Sequence, residues 1–435
     1  MKIARKTDWN STSITNEHGI DIAVTLTPLE FKKVSVGMIP YEMEDKWFVY
    51  MLDNTLHTHR SWTGYEIFRV HFEASESNFI AKYAIVERNE EIYKNNSDEA
   101  DKSMVQTFIK SLSERHIDNY IENGIIGLIV GDSLGVPVEF KSRKELDETP
   151  IIDMIGYGTY NQPPGTWSDD SSLALCTAEQ LLEGADIQKV GEKFTKWLFD
   201  NEWTPHGNVF DIGISTRAAL QRIKEGTEAT RSGDPFDEHS NGNGSLMRIL
   251  PILVEFKKLK TGMERYKLTK DISSITHAHV RSCLACYYYL ELAASLSYEV
   301  KYPIKNCIKT TNYKFKELVK ELKINPREVN MFQRLTECDI SELPREEIKS
   351  SGYVIHTLEA AIWCLSTSSS YKETVLKAVN LGEDTDTTGA VAGGLAGIFY
   401  GVQQVPKGWR EKIARLDDIY ELIDKLSEAY GHARC

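Results

Sequence analysis

Carboxylates and hydroxyls gather at three places in this chain, each beside a glycine that would expose them. The first is Gly131-Asp132-Ser133-Leu134-Gly135, with Glu139 shortly after; the second is Gly165-Thr166-Trp167-Ser168-Asp169-Asp170-Ser171-Ser172; the third is Gly382-Glu383-Asp384-Thr385-Asp386-Thr387-Thr388-Gly389. No thiol lies near any of them. Hard oxygen ligands of this kind suit Mg²⁺, Mn²⁺ or Ca²⁺ rather than zinc. Asp384 and Asp386, two residues apart, repel each other unless a cation or solvent intervenes; alone, the motif reads as a metal site or as a polar loop. Asp169 and Asp170 also have two readings. They are metal ligands, or they are first-turn acids that complement a helix dipole behind an N-cap at Ser168.

Two other uses of the third string fail on context. Asp384-x-Asp386-x-Thr388 fits the nucleophile motif of haloacid-dehalogenase-like phosphatases, but the residues before it repeat with helical rather than strand period. An EF-hand would accept Asp384, Asp386 and Gly389 at its first, third and sixth positions, yet its twelfth needs Glu and Leu395 stands there. A fourth segment, Ser240-Asn241-Gly242-Asn243-Gly244-Ser245-Leu246-Met247-Arg248, is a polar glycine-rich turn. Successive N–H groups in such a turn can form a nest for phosphate oxygens, and a bare loop-to-helix connection is the equal alternative. It is neither a Walker loop nor a dinucleotide fingerprint. His277-Ala278-His279 near Cys283-x-x-Cys286 suggests zinc, but the cysteines sit in an apolar helical run and read as packed thiols.

The elements that must position these residues fall into two parts. Trp47 to Leu52, Tyr65 to Phe72 and Phe79 to Val86 are aromatic-rich, strand-like runs. Residues 1–95 therefore read as a small α+β domain on an antiparallel sheet, and the polar stretch Lys94 to Asp101 reads as a linker. Residues 104–435 read as helical, with apolar faces at Leu173, Ala174, Thr177, Ala178, Leu181 and Leu182 and again at Val354, Leu358, Ala361, Ile362 and Leu365. The expected fold is thus mainly α. Glycine recurs at every fourth place at Gly127, Gly131 and Gly135, and at Gly389, Gly393, Gly397 and Gly401. On a helix that spacing makes a bare stripe along which another backbone can approach closely. Residues 300–350 are lysine-rich and read as solvated peripheral helices.

Composition excludes some partners. Acidic residues outnumber basic ones 64 to 51, the net charge is -13 and the pI is near 5.5, which disfavours nucleic acid as the main partner. Seven cysteines without framework spacing read as reduced thiols in a cytoplasmic protein. The residues after Met1 lack the apolar core of a signal peptide. The apolar runs Gly124 to Gly131 and Gly389 to Gly401 are shorter than the roughly 20 residues of a membrane helix, so no membrane partner is expected. Cys435 is terminal, not fourth from the end as prenylation requires.

Taken in order from about Tyr120 to about Trp409, the motifs resemble the ADP-ribosylglycohydrolase family, which includes the dinitrogenase reductase-activating glycohydrolases and the ADP-ribosyl-arginine and ADP-ribosyl-serine hydrolases. They are Gly127-x-x-x-Gly131-Asp132-x-x-Gly135 with Glu139, Gly165-Thr166-x-Ser168-Asp169-Asp170-Ser171, Asn243-Gly244-Ser245-x-Met247-Arg248, Thr276-His277, and Gly382-x-Asp384-Thr385-Asp386-Thr387. The resemblance implies an all-α bundle with two Mg²⁺ ions at a cleft, Mn²⁺ being the alternative. It makes Ser168, Asp169, Asp170, Asp384, Asp386 and Thr387 the metal set, and Glu139 and Asp170 the candidate catalytic carboxylates. It makes Ser240, Asn241, Gly242, Asn243, Gly244 and Ser245 the cradle of the ADP-ribose diphosphate, with His277 lining the nucleotide cleft. Two residues depart from the family pattern: Ser168 replaces a usual Thr and Glu383 a usual Gly.

The function so implied is Mg²⁺-dependent hydrolysis of the glycosidic bond of an ADP-ribosylated protein, ADP-ribosyl-arginine before ADP-ribosyl-serine. An oxocarbenium-like transition state needs a positioned water and nearby negative charge, and the residue types supply both. The family does not require the amino-terminal domain. With it the chain would suit an immunity protein against an ADP-ribosyltransferase toxin, acting by hydrolysis, by steric occlusion or by both. A hydrolase of a small ADP-ribose compound is the third reading.

Overall fold

The computed structural model describes residues 4–40, 45–75, 78–114, 119–298 and 302–430. Cys435 and the first three residues lie outside the described residues. The chain divides into two compact units, Met1–Asn119 with Ser427–Cys435, and Tyr120–Leu426.

The first unit is an antiparallel sheet of β1 (Glu17–Leu26), β2 (Trp47–Leu52), β3 (Thr55–Arg60), β4 (Glu66–His71), β5 (Glu73–Ala74) and β6 (Phe79–Glu87). The strand order is β1-β6-β4-β3-β2, with β5 also paired to β6. Asp53 and Asn54, between β2 and β3, both adopt positive φ (47° and 58°), as a tight two-residue hairpin turn demands. The helices Pro28–Ser35 and Asp98–Glu114 belong to this unit; Thr27 and Glu30 form a capping box on the first. Val105, Ile109 and Leu112 of the second join Ile20, Val49, Leu56, Phe68, Val70 and Val86 in one core.

That helix corrects the expected linker. Asp101 is fully buried and accepts from Arg88 (2.6 Å), Tyr93 (2.5 Å) and Asn95 (2.7 Å). The acids of this polar stretch are a helix first turn, where negative charge meets the dipole, not a solvated tether. The observed division therefore falls one helix later than the boundary expected between residues 95 and 104.

The second unit is a helical bundle built around two central helices, Tyr120–Gly135 and Thr385–Tyr400. Their glycine stripes meet backbone to backbone. A Cβ at Gly127 would fall on the carbonyl oxygen of Gly393, one at Gly131 on that of Gly389, and one at Gly397 on that of Asn123. Gly135 sits against the backbone of Thr385 and Asp386, so the stripe also fixes the start of the second helix. Buried carbonyls along the seam take side-chain donors: Tyr371 donates to Gly127 (2.7 Å), and Thr385 to Gly135 (2.8 Å). Gly401 is not part of the stripe. It ends the helix at φ 87°. The span Tyr120–Val138 is apolar and long enough to cross a membrane, longer than the run read from sequence, but it is wholly buried inside the unit. Cys283 and Cys286 are buried in the helix Val280–Leu296, and His279 caps that helix through the Arg281 N–H (3.2 Å).

Because the seam leaves no room for a methyl group, Gly131→Ala is expected to destabilise the protein by about 1–3 kcal/mol, the range of core overpacking. Chemical denaturation measures it, with Gly207→Ala as the comparison for a glycine whose added Cβ meets nothing within 4 Å but whose φ is 82°. A Gly131→Ala protein no less stable than the parent would show that the helices can separate freely.

Candidate active site

Four stretches of chain converge on one acidic cluster. Ser168 caps the helix Asp169–Gln180, its hydroxyl accepting from the Asp170 N–H (3.3 Å) and donating to Asp170 Oδ2 (2.8 Å). Asp169 and Asp170 thus occupy a helix first turn, as the dipole reading expects, and Asp170 also stands in the acidic cluster. Asp384 precedes the helix Thr385–Tyr400 without a side-chain cap bond to it, and its Oδ1 has no hydrogen-bonding partner. Thr387 donates to Asp170 Oδ2 (3.4 Å), tying the two helix starts together. Ligand oxygens of Glu139, Asp384 and Asp386 lie within 4.8 Å of one another, as do those of Asp132, Asp170 and Asp386.

Hydrogen bonding separates these carboxylates into two kinds. Asp132 is saturated: it accepts from the Ser168 N–H (3.0 and 3.1 Å), the Ser171 N–H (3.1 Å) and the Ser171 hydroxyl (2.5 Å). It therefore holds the start of the Asp169–Gln180 helix, and we assign it that role although its oxygens are near enough to share an ion. By contrast Glu139 Oε2, Asp170 Oδ1, Asp384 Oδ1 and Asp386 Oδ2 are buried with no hydrogen-bonding partner. Buried acceptors without donors are costly and rare. An all-oxygen donor set with bare lone pairs is what a hard divalent cation requires, so the residues present fit such ions.

The electrostatics agree. Burial, then neighbouring negative charge, raises Asp170, Asp169 and Asp386 well above the usual carboxylate range. Glu139 is pushed up to about 8 by burial and then by the charge of Asp211. Asp211 is the residue that sequence reasoning missed. It stands in the loop before the helix Ile214–Lys224, carries no motif, and reaches the cluster only through the fold; its own carboxyl is raised by burial.

A cavity of about 340 Å³ opens over the cluster, lined among others by Glu139, Asp169, Asp211, Asp384 and Thr387. Its other wall includes Gly242, Asn243, Gly244 and His277. Asn243 joins the two walls, its amide donating to Asp384 Oδ2 (2.8 Å) and to Thr357 (2.8 Å). His277 is buried, and burial followed by the Arg248 charge holds it neutral, down to about 3. The expected cradle is only partly placed at the cavity. Ser240 donates to Asp237 (3.1 Å), Asn241 donates to the Glu238 carbonyl (2.9 Å) and accepts from Ser282 (3.1 Å), and Ser245 lies in the core against Ser273 (2.9 Å). These three hold the turn. The Asn243 N–H is engaged by the Gly352 carbonyl (3.0 Å), which removes it from the expected nest.

The sequence profile of ADP-ribosylglycohydrolases matches residues 114–434, about three quarters of the chain. The chain belongs to the ADP-ribosylglycohydrolase family. It is 31% identical over 309 residues to the ADP-ribosylarginine hydrolase Tri1 of Serratia proteamaculans, covering 70% of this chain and 78% of the relative. It is 29% identical to the ADP-ribosyl-[dinitrogen reductase] glycohydrolase of Rhodospirillum rubrum, covering 66% of this chain and 88% of the relative. A solved structure described as an ADP-ribosylglycohydrolase-related protein complex superposes with a TM-score of 0.59 at 28% identity, over 72% of this chain and 98% of that one. The glycine that the resemblance leads one to expect at Glu383 has a physical basis. Glu383 has φ 62°, a left-handed backbone that glycine adopts at no steric cost.

The raised carboxyls give a pH prediction. A group whose folded pKa exceeds its unfolded value keeps a proton in the fold that the unfolded chain releases, so stability falls as pH rises between the two values. For Glu139 the window runs from the ordinary value of 4.5 to about 8. Cation-free protein is therefore expected to lose thermal stability across that window. Mg²⁺ should raise the melting temperature more at its upper end than at its lower end. Scanning calorimetry in chelator and in Mg²⁺ decides it; a melting temperature that climbs through the window in chelator contradicts the arrangement.

Proposed function

We propose that the chain hydrolyses the bond between ADP-ribose and an arginine side chain of a modified protein, with two Mg²⁺ ions, or Mn²⁺ in their place, held by Ser168, Asp169, Asp170, Asp384, Asp386 and Thr387. The observation that carries this is the set of bare, buried carboxylate oxygens on Glu139, Asp170, Asp384 and Asp386, of which Glu139 and Asp384 line the cavity. Divalent cations held by these residues would supply a template for the ribose hydroxyls and the attacking water and would lower that water's pKa. The protein's own groups do the rest. Glu139, with Oε2 open, takes the proton of the water as its oxygen bonds the anomeric carbon; Asp170 Oδ1 is the alternative acceptor. The C–N bond breaks with its electron pair going to nitrogen, and the departing guanidine then takes up the proton. Gly242, Asn243, Gly244 and His277 line the side on which the diphosphate rests.

Arginine is favoured over serine by charge. Asp211 and Glu139 face the cavity beside one another, and a cationic guanidinium gains from such carboxylates what a neutral hydroxyl does not. The name of the Serratia relative supports the same acceptor. The test is incubation with arginine-linked and with serine-linked ADP-ribosylated proteins, in Mg²⁺ and in chelator. Release is expected from the arginine-linked protein alone and only with the cation. Release from serine instead, or turnover of only a small ADP-ribosyl compound, replaces the substrate reading.

Asp386→Ala is expected to abolish turnover in a folded protein, and Glu139→Gln to lower it by about 10² while ADP-ribose still binds. Single-turnover assays with binding measured separately check both. Near-normal turnover of a folded Asp386→Ala variant removes the two-cation mechanism.

A second reading rests on the sheet unit, nearly all of which precedes the family match. There Trp62, 77% exposed, stands with Lys46, Arg60 and Tyr65 around a pocket of about 470 Å³. Exposed aromatic and basic groups of this kind suit a protein partner. We infer that this unit recognises an ADP-ribosyltransferase, so that the chain protects by occlusion as well as by hydrolysis. Cells expressing such a transferase are expected to be protected by the hydrolytically dead Asp386→Ala chain, and less well when Trp62→Ala is added. Loss of all protection in Asp386→Ala leaves hydrolysis as the sole protective activity.

A further inference from the structure

The sheet unit carries a second cluster of ligand-type side chains that shares no residue with the acidic site. His57 and His59 stand two residues apart on β3 and so project from one face, and Glu66, the first residue of β4, pairs with His59. The ligand atoms these three side chains offer lie within 4.8 Å of one another.

His59 is 1% exposed. Its Nδ1 lies 3.0 Å from the Gly64 carbonyl, which can only accept, so the hydrogen is on Nδ1 and Nε2 carries a lone pair. That Nε2 is buried and has no partner. A backbone carbonyl on the far nitrogen is the way metal-ligating histidines are usually oriented. Both rings are held in plane by Tyr50, which stacks on His57 (4.8 Å, 10°) and on His59 (5.5 Å, 16°).

Glu66 is fixed from the opposite side. Its Oε2 accepts from Arg69 (2.7 Å) and from the Ile14 N–H (3.2 Å), while Oε1 faces His57 Nδ1 at 2.5 Å and receives a longer bond from Arg69 Nε (3.3 Å). Arg69 also pairs with Glu17 (2.9 Å), so its charge is shared between two carboxylates and does not cancel Glu66 alone. The inner oxygen, two imidazoles and one bare nitrogen lone pair thus meet at one point of the sheet.

We propose that His57, His59 and Glu66 bind one divalent transition-metal ion of the zinc class, leaving a fourth position for water or an outside ligand. Two imidazoles and a carboxylate suit Zn²⁺, Co²⁺, Ni²⁺ or Cu²⁺ and give little to Mg²⁺, the reverse of the all-oxygen cluster in the helical unit. Loading puts the ion where the His57–Glu66 hydrogen now lies and opens that pair to the roughly 3.3 Å between ligands of a tetrahedral ion. The ion would join β3 to β4 and, through the Ile14 N–H on Glu66, anchor the chain that precedes β1.

The test uses the full chain stripped of metal and titrated with Zn²⁺, with zinc K-edge absorption spectroscopy as readout, since imidazole ligands leave a signature that carboxylates do not. Expected is one tightly held equivalent with two imidazoles, kept in Asp386→Ala and weakened at least about 100-fold in His57→Gln and in His59→Gln. Zn²⁺ should raise the melting temperature of the parent and of Asp386→Ala but not of either histidine variant. His57 is partly exposed, so His57→Gln serves should the buried His59→Gln fail to fold; circular dichroism and unchanged hydrolysis establish its integrity. Zinc bound without imidazole, or bound equally well by the parent and a folded His57→Gln, overturns the site.

Discussion

The helical unit is organised around a repulsion. Glu139, Asp169, Asp170, Asp384 and Asp386 are gathered where little solvent reaches them; burial raises all five in pKa, and neighbouring negative charge adds to the rise of Glu139, Asp169, Asp170 and Asp386. Left without cations, such a cluster must take up protons or push its residues apart. The surrounding structure therefore has to hold the groups rigidly against that tendency. A site that relaxed would lose the spacing between carboxylates that lets them share ions.

Rigidity comes from the seam between the helices Tyr120–Gly135 and Thr385–Tyr400. With glycine facing backbone carbonyl at several levels, the two helices approach as closely as backbones can, and no rotamer change can loosen them. Each helix start or end at the seam carries part of the site. Gly135 abuts Asp386, and Asp132, one turn before it, holds the Ser168 and Ser171 amides. Glycine in a helix costs about 1 kcal/mol apiece relative to alanine. The close contact, with Tyr371 and Thr385 donating to its buried carbonyls, offsets that loss.

Much of this was legible in the residues themselves. Ser168-Asp169-Asp170 and Asp384-Thr385-Asp386 are local strings whose repulsion can be read without a fold, and the four-residue glycine spacing implies close helix contact. What was hidden depended on tertiary placement. Asp211 has no local signature, and it enters the site because the loop before Ile214 folds over Asp169. Ser240, Asn241 and Ser245 were read as ligand donors because turn composition says nothing about which side chains face outward. The stretch Lys94 to Asp101 reads as a linker because it is polar and low in apolar residues, and composition alone does not separate a dipole-stabilised helix start from a solvated tether. β3 escaped notice for a related reason: Thr55-Leu56-His57-Thr58-His59-Arg60 lacks the apolar alternation of a strand, since the face it turns away from the main core carries histidines.

Hydrogen-bond satisfaction, more than proximity, sorts the acidic residues by what they can do. Asp132 lies as close to Asp170 and Asp386 as a ligand would, yet four donor contacts from Ser168 and Ser171 occupy its oxygens, and giving them up would undo the helix start that presents Asp170. Glu139, Asp170, Asp384 and Asp386 each keep one oxygen with nothing to accept from. The same rule applied to the sheet unit separates Glu66 Oε2, held by Arg69 and Ile14, from the bare Nε2 of His59. In both units the groups left unsatisfied are those whose pairing the fold has withheld. A buried acceptor kept empty is costly, and four of them on facing carboxylates give a cation more to complete than isolated unpaired groups elsewhere in the protein do.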